Sequence, residues 1–186
     1  MSAEPELVRR CLRGETAATF ELVKRFELDV FAFCLRLMRH RHDAEDVAQD
    51  VFVRVFRSLG RWDAARPLKP WILGIAVNRC RTAMAKRAKR PDAVDYLADL
   101  PDRTPEVESQ ELAEAIAEGV ANLRPEYREV FVLYHESQLS YDEIGAAVDR
   151  PVGTVKTWIH RARGILAEFL KERGLLDPEP ELTEAK

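Results

Sequence analysis

Apolar residues recur along most of this chain at spacings of three and four, the period of a helix with one buried face. Phe20, Val23, Phe26, Val30, Phe33 and Leu37 mark a long first segment. A second begins at Asp43, read as its N-cap, and places Val47, Val51, Phe52, Val55, Phe56 and Leu59 on one side. Residues 60–70, with Pro67 and Pro70, read as a loop. A third helix is predicted from Trp71 to Lys89, ended by Pro91. Further helices follow over Leu112–Leu123 and over Glu126–Glu136, the latter opened by Pro125. No sustained period-two alternation and no Asn-Gly or Asp-Gly turn argues for strands. The chain is therefore expected to be all-α.

The pattern is sharpest in Ser140–Arg163, SYDEIGAAVDRPVGTVKTWIHRAR. Ser140 and Glu143 have the spacing of a capping box, and Ile144 and Val148 form the buried face of a short helix. Asp149–Pro151 interrupts it, because proline fits a helix only near its start. A second helix then buries Val155, Ile159, Ala162 and Leu166. Lys156, His160 and Arg163 line another face at i, i+4 and i+7, with Thr157 and Arg161 beside them. This is a helix-turn-helix with a candidate recognition helix; on pattern alone it is equally two amphipathic helices with a solvated basic face. Gly174 is expected to end the last helix.

Charge alters the picture. The 186 residues sum to −3, which argues weakly against a nucleic-acid partner. Yet residues 91–118 hold nine acids and one base, and residues 177–186 four acids and one base, so the remainder carries +8. Two basic units joined by an acidic connector are expected: 1–90, a linker over 91–108 with Pro91, Pro101 and Pro105, a helix-turn-helix unit over 109–174, and a disordered tail over 175–186. The third helix ends in Asn78–Arg90, NRCRTAMAKRAKR, with six cations and no acid. That density exceeds what a helix C-terminus needs and suits phosphate neutralisation. Asn78 continues the stripe of Trp71 and Ile75 with an amide that can read a base edge or serve as an ordinary structural Asn.

Other chemistry is sparse. Cys11, Cys34 and Cys80 are far apart, with no CxxC pair, and read as small core hydrophobes rather than a metal or disulfide framework. No cofactor is implied. The N-terminal MSAEPELVRR lacks an apolar h-region, and the longest uncharged apolar stretch, Trp71–Val77, is too short for a bilayer, so a cytoplasmic protein without membrane insertion is expected. In DAEDVAQDVF (43–52), capping accounts for Asp43, Glu45 and Asp46. Asp46, Gln49 and Asp50 form a polar patch opposite the Val51/Val55 seam; the residues alone favour plain surface over a protein-binding face.

Four stretches together resemble the extracytoplasmic-function (ECF) sigma factors of bacteria, over nearly the whole chain: DAEDVAQDVFVRVFRSL, PWILGIAVNRCR, LRPEYREVFVLYHESQLSYDEIGAAV and PVGTVKTWIHRAR. The resemblance implies a non-enzymatic factor that binds core RNA polymerase and promoter DNA, commonly restrained by an anti-sigma partner. It implies that the first unit is sigma domain 2 and the helix-turn-helix unit sigma domain 4. Asp46, Gln49 and Asp50 become the polymerase-docking candidates, overturning the surface reading. The loop Trp62–Pro70 and the helix after it resemble the part that opens the minus-ten element. Asn78 matches the position tied to readout of a flipped base, with Arg79, Arg81, Lys86 and Arg87 on neighbouring phosphates. Lys156, Thr157, His160 and Arg161, with Arg163 on the same helix, face the minus-thirty-five element. Trp158, Gly74 and the proline-rich loop depart from the family pattern, and His160 occupies a variable position. Two alternatives from the residues remain: an autonomous helix-turn-helix regulator, which has no need of Asn78–Arg90, and an enzyme with Cys34 or Cys80 as nucleophile.

Overall fold

The N-terminal helices build one bundle in the computed structural model, which describes residues 4–88 and 107–176. Helix α1 (Glu4–Leu12) lies on α2 (Thr16–Met38), which buries Leu22, Phe26, Val30, Phe33 and Leu37 at helical spacing. Phe20, expected inside, is 71% exposed, because the buried stripe passes through Ala18 and Leu22 instead. Helix α3 (Arg41–Ser58) presents Ala44, Val47, Ala48, Val51 and Val55 to α2 and α4. Helix α4 (Leu68–Arg87) closes the bundle with Ile72, Leu73, Ala76, Val77 and Cys80. Each buried Val, Leu, Ile or Phe side chain among them contributes about 1.5–3 kcal/mol.

Two starts in this bundle differ from the expected ones. Asp43 is not the N-cap of α3: His40 is, its ring Nδ1 accepting from the Asp43 N–H at 3.4 Å. Asp43 lies in the first turn, where its charge still suits the helix dipole. Helix α4 begins at Leu68, three residues early, although its N-cap Pro67 has no side chain with which to cap. The carboxylate of Glu4 does so instead, accepting from the Leu68 N–H at 3.0 Å. Thus α1 stabilises the start of the helix that carries the basic run.

The C-terminal unit comprises α5 (Val107–Asn122), α6 (Pro125–His135), α7 (Tyr141–Val148) and α8 (Val152–Glu172). Helix α5 starts within the stretch expected as linker; most of that stretch, and the tail from 177, lie outside the described residues. Both capping-box bonds are made: Ser140 Oγ accepts from the Glu143 N–H at 3.3 Å, and Glu143 Oε2 accepts from the Ser140 N–H at 2.8 Å. Asp149 turns the chain with φ 56°, and the Arg150 N–H returns to the Gly145 carbonyl at 3.0 Å. A Cβ at Gly145 would lie 2.9 Å from the Arg150 carbonyl oxygen, so the turn is this tight only because residue 145 has none. Helix α8 buries Val155, Ile159, Ala162, Leu166 and Leu170. Every regular element among the described residues is helical, and none of these helices is long and apolar enough to cross a membrane. Cys34 and Cys80 are fully buried and face each other across α2 and α4 at 3.8 Å; Cys11 is half-buried.

The two units touch. Helix α4 packs along α7, and α2 meets α6.

Candidate nucleic-acid and polymerase interfaces

Helix α3 sorts its polar residues by face. With Val47, Val51 and Val55 inward, Asp46 and Gln49 are exposed, while Asp50 is half-buried on the side towards α4. There its Oδ2 accepts from Arg79 Nε at 2.5 Å. Asp43 similarly accepts from Arg87 Nη1 at 3.2 Å. Two cations of the basic run are thus tied back to the helix that carries the acidic patch. Asp50 is shared between that patch and Arg79.

The remaining expected minus-ten residues fare differently. Asn78 and Lys86 are exposed. The Asn78 amide donates to the Gly74 carbonyl at 3.1 Å, in line with Trp71 and Ile75 on one face of α4. Arg81 reaches the other unit, where its Nε and Nη2 donate to the two carboxylate oxygens of Glu129 at 2.9 and 2.6 Å. Burial pushes the Glu129 carboxyl above the ordinary glutamate value, with Arg81 opposing that shift, and the pairing raises Arg81 in turn. A cleft of about 510 Å³ opens between this face of α4 and α7 beside their contact. Trp71, Ile75 and Asn78 line one wall, Asp142, Glu143 and Ala147 the other.

On α8 the buried stripe leaves Lys156, Thr157, His160, Arg161 and Arg163 exposed. Aromatic rings support three of the cations. Lys156 Nζ stands 5.6 Å from the Tyr141 ring centroid and Arg163 Cζ 5.2 Å from that of Tyr134, and the two rings stack at 5.0 Å. Arg163 Nε donates to His135 Nε2 at 3.2 Å, and Arg161 Nη1 to the Tyr127 hydroxyl at 3.3 Å. Burial and the Arg163 charge hold His135 below the usual histidine pKa. Trp158 packs against Tyr127 at 6.4 Å between centroids, so this departure from the family pattern is used for packing. Sequence reasoning missed Tyr127, Tyr134, His135 and Tyr141 as supports. Only the seven-residue interval between Tyr134 and Tyr141 hinted at a pair, and a turn separates them.

Comparison with known proteins gives this geometry a context. Residues 22–90 match the Sigma-70 region 2 family model, and residues 113–166 match Sigma-70, region 4. The ECF RNA polymerase sigma factor SigW of Bacillus subtilis (strain 168) is 31% identical over 182 residues, covering 89% of this chain and 95% of that protein. The chain belongs to the ECF RNA polymerase sigma factors. The ECF RNA polymerase sigma-E factor of Haemophilus influenzae is 30% identical over 173 residues, covering 86% of this chain and 91% of that one. Among solved structures, CnrH in complex with the cytosolic domain of CnrY covers 92% of this chain and 99% of its own, with TM-score 0.70 and 25% identity. The RpoE of Bartonella quintana, solved with the anti-sigma factor NepR, shares the fold at TM-score 0.69 and 24% identity, covering 81% of this chain and 97% of its own. As an ECF sigma factor the chain directs core RNA polymerase to promoters, and matches to both regions count against an autonomous helix-turn-helix regulator.

Proposed function

We propose that this sigma factor docks on core polymerase through Asp46, Gln49 and Asp50 of α3 and reads a two-part promoter through α4 and α8. Asn78 takes the extruded minus-ten base, and Arg79, Arg81, Lys86 and Arg87 hold the adjoining phosphates. Lys156, Thr157, His160, Arg161 and Arg163 face the minus-thirty-five element. The working boundaries are 1–90 for domain 2, 91–108 for an acidic linker, 109–174 for domain 4 and 175–186 for a tail. The factor acts in the cytoplasm, without catalysis of its own and with no cofactor, and takes an anti-sigma protein as its restraining partner. The CnrH and RpoE structures, each solved with a second protein, support that last assignment by likeness.

The observation that carries this reading is the one-sided exposure of five polar and basic residues on α8, behind a helix held by a complete capping box. That arrangement supports the reading of α8 as a rigid charged face for a major groove. The test separates two functions in one assay. Lys156→Glu with Arg161→Glu abolishes promoter-directed run-off transcription while core-polymerase binding in gel filtration persists. Asp46→Ala with Gln49→Ala weakens core binding about tenfold or more, at unchanged helicity by circular dichroism, as loss of central polar anchors does. Transcription surviving the first change, or core affinity surviving the second, removes the corresponding assignment.

A further inference from the structure

The first turn of α4 lacks the means to start itself. Pro67 at its N-cap offers no side-chain acceptor, and Pro70, in the third helical position, has no N–H. Leu68, Lys69 and Trp71 are left with N–H groups that no earlier turn can accept. Glu4 supplies the missing acceptor. Its Oε2 takes the Leu68 N–H at 3.0 Å, while its Oε1 takes Arg25 Nη2 at 3.3 Å. The carboxylate is 15% exposed, so it is largely shielded from water, and its charge suits the positive end of the helix. Leu68 is fully buried, and Lys69 Nζ meets Asp29 Oδ2 at 3.0 Å, so this turn is tied to α1 and α2 at once.

What the turn holds in place is the chain before it. Residues Asp63–Pro67 are exposed throughout. They run from Trp62, whose N–H returns to the Leu59 carbonyl at 3.1 Å, to the buried Leu68. Asp63 orders the residues that follow it, its Oδ1 accepting from the Ala65 N–H at 3.0 Å and its carbonyl from the Arg66 N–H at 2.9 Å. Arg66 and Pro67 then line the same cleft as Trp71, Ile75 and Asn78. A helix begun at Trp71, as its own sequence suggests, would add Leu68–Pro70 to the loop and free the loop's end from the helix.

We propose that Glu4 is a positioning residue for minus-ten reading: by capping α4 from 64 residues away it fixes the Asp63–Pro67 loop against the Trp71, Ile75 and Asn78 face, and so sets the selectivity of a site it does not touch. The inference rests on the assignment of Asn78 and the Trp62–Pro70 loop to the minus-ten element. A pocket for an extruded base discriminates only while its walls keep their separation, and play of about 1 Å is enough to loosen it. A cap that only added stability would lower the amount of folded factor and scale all promoters alike.

That difference is the test. Full-length wild type and Glu4→Ala, each with core polymerase, transcribe two template pools built from one promoter that wild type uses. One pool is randomised over the minus-ten element and the other over the minus-thirty-five element, with a barcode downstream of the start. Selectivity is the ratio of RNA from the parent sequence to RNA from the pool average. We expect Glu4→Ala to lower minus-ten selectivity about tenfold and to leave minus-thirty-five selectivity within about twofold of wild type. Glu4→Gln, which keeps an oxygen for the Leu68 N–H, should recover most of the loss. Unchanged minus-ten selectivity in Glu4→Ala, or an equal loss at both elements, overturns the proposal. If Glu4→Ala loses helicity by circular dichroism, Glu4→Asp decides. It keeps the charge in the first turn of α1 but withdraws the carboxylate from Leu68, and unchanged minus-ten selectivity there overturns the proposal as well. Asn78→Ala tells the two failures apart. Selectivity lost in Asn78→Ala but kept in Glu4→Ala removes the role of Glu4 alone; selectivity kept in both removes the minus-ten assignment with it.

Discussion

His135 joins Arg163, on the proposed recognition face, to folding through a single proton. Its Nε2 accepts from Arg163, so the ring must be neutral with its proton on Nδ1, and it packs against Phe131 at 4.4 Å and Tyr134 at 4.9 Å. Protonation would replace an accepted hydrogen bond by two facing cations. Because the folded-state pKa lies below the ordinary value of 6.5, the unfolded chain binds the proton first as pH falls. The stability tied to His135 is therefore complete above about pH 6.5 and is lost as pH drops through the depressed folded value. Urea unfolding between pH 7.5 and 5 should show this loss in wild type and a smaller one in His135→Gln; equal slopes would remove the coupling. The thiols show the opposite behaviour. The contact with Cys34, together with burial, pushes the Cys80 thiol up, which suits packing and not nucleophilic chemistry. Under native conditions a maleimide should label Cys11 well before Cys34 or Cys80, without loss of transcription.

Local chemistry explains why some elements were legible before any coordinates. Ser140 and Glu143 lie three residues apart and cap one another, so the start of α7 needs nothing from outside its own turn. Ser140→Ala should cost about 1 kcal/mol, read as a lower urea midpoint at constant m-value. Pro125 at the first position of α6 and the buried stripe of α8 were equally local signals. Errors arose where a distant residue decided. The start of α4 depends on Glu4, 64 residues earlier, which no window around Leu68 contains. Phe20 fitted a helical period, but its side of α2 faces solvent while Ala18 and Leu22 take the buried side. The site followed the same division. Exposure of Lys156, Thr157, His160 and Arg161 followed from the period of α8. The partners of Arg79, Arg81 and Arg87 lie 29, 48 and 44 residues away, and no charge count along the chain reveals them.

At the scale of the whole molecule, Arg128 bonds to both units. Its guanidinium donates to the Val120, Ala121 and Leu123 carbonyls at the end of α5 and to the Leu37 carbonyl at the end of α2. One buried cation thus serves the negative ends of two helices from different units. Replacing it with methionine keeps the aliphatic stem but takes a donor from all four carbonyls, of which Val120 keeps the Leu123 N–H and Ala121 keeps Arg39, at a cost of about 1–3 kcal/mol. Because one of the bonds crosses between units, the loss should also weaken their cooperativity. The tryptophans make this measurable: Trp62 and Trp71 lie in the first unit and Trp158 in the second. In Trp62→Phe/Trp71→Phe protein, fluorescence follows α8 alone, while far-ultraviolet circular dichroism follows all helices. With Arg128 present the two urea transitions should coincide, the signature of a single cooperative unit. With Arg128→Met added, the circular dichroism curve should broaden and part from the fluorescence curve. Coincident curves in both proteins would mean that the units are coupled through the Arg81–Glu129 fork and the α4–α7 contact without Arg128; separate curves in both would mean that the units unfold independently even with the contact intact.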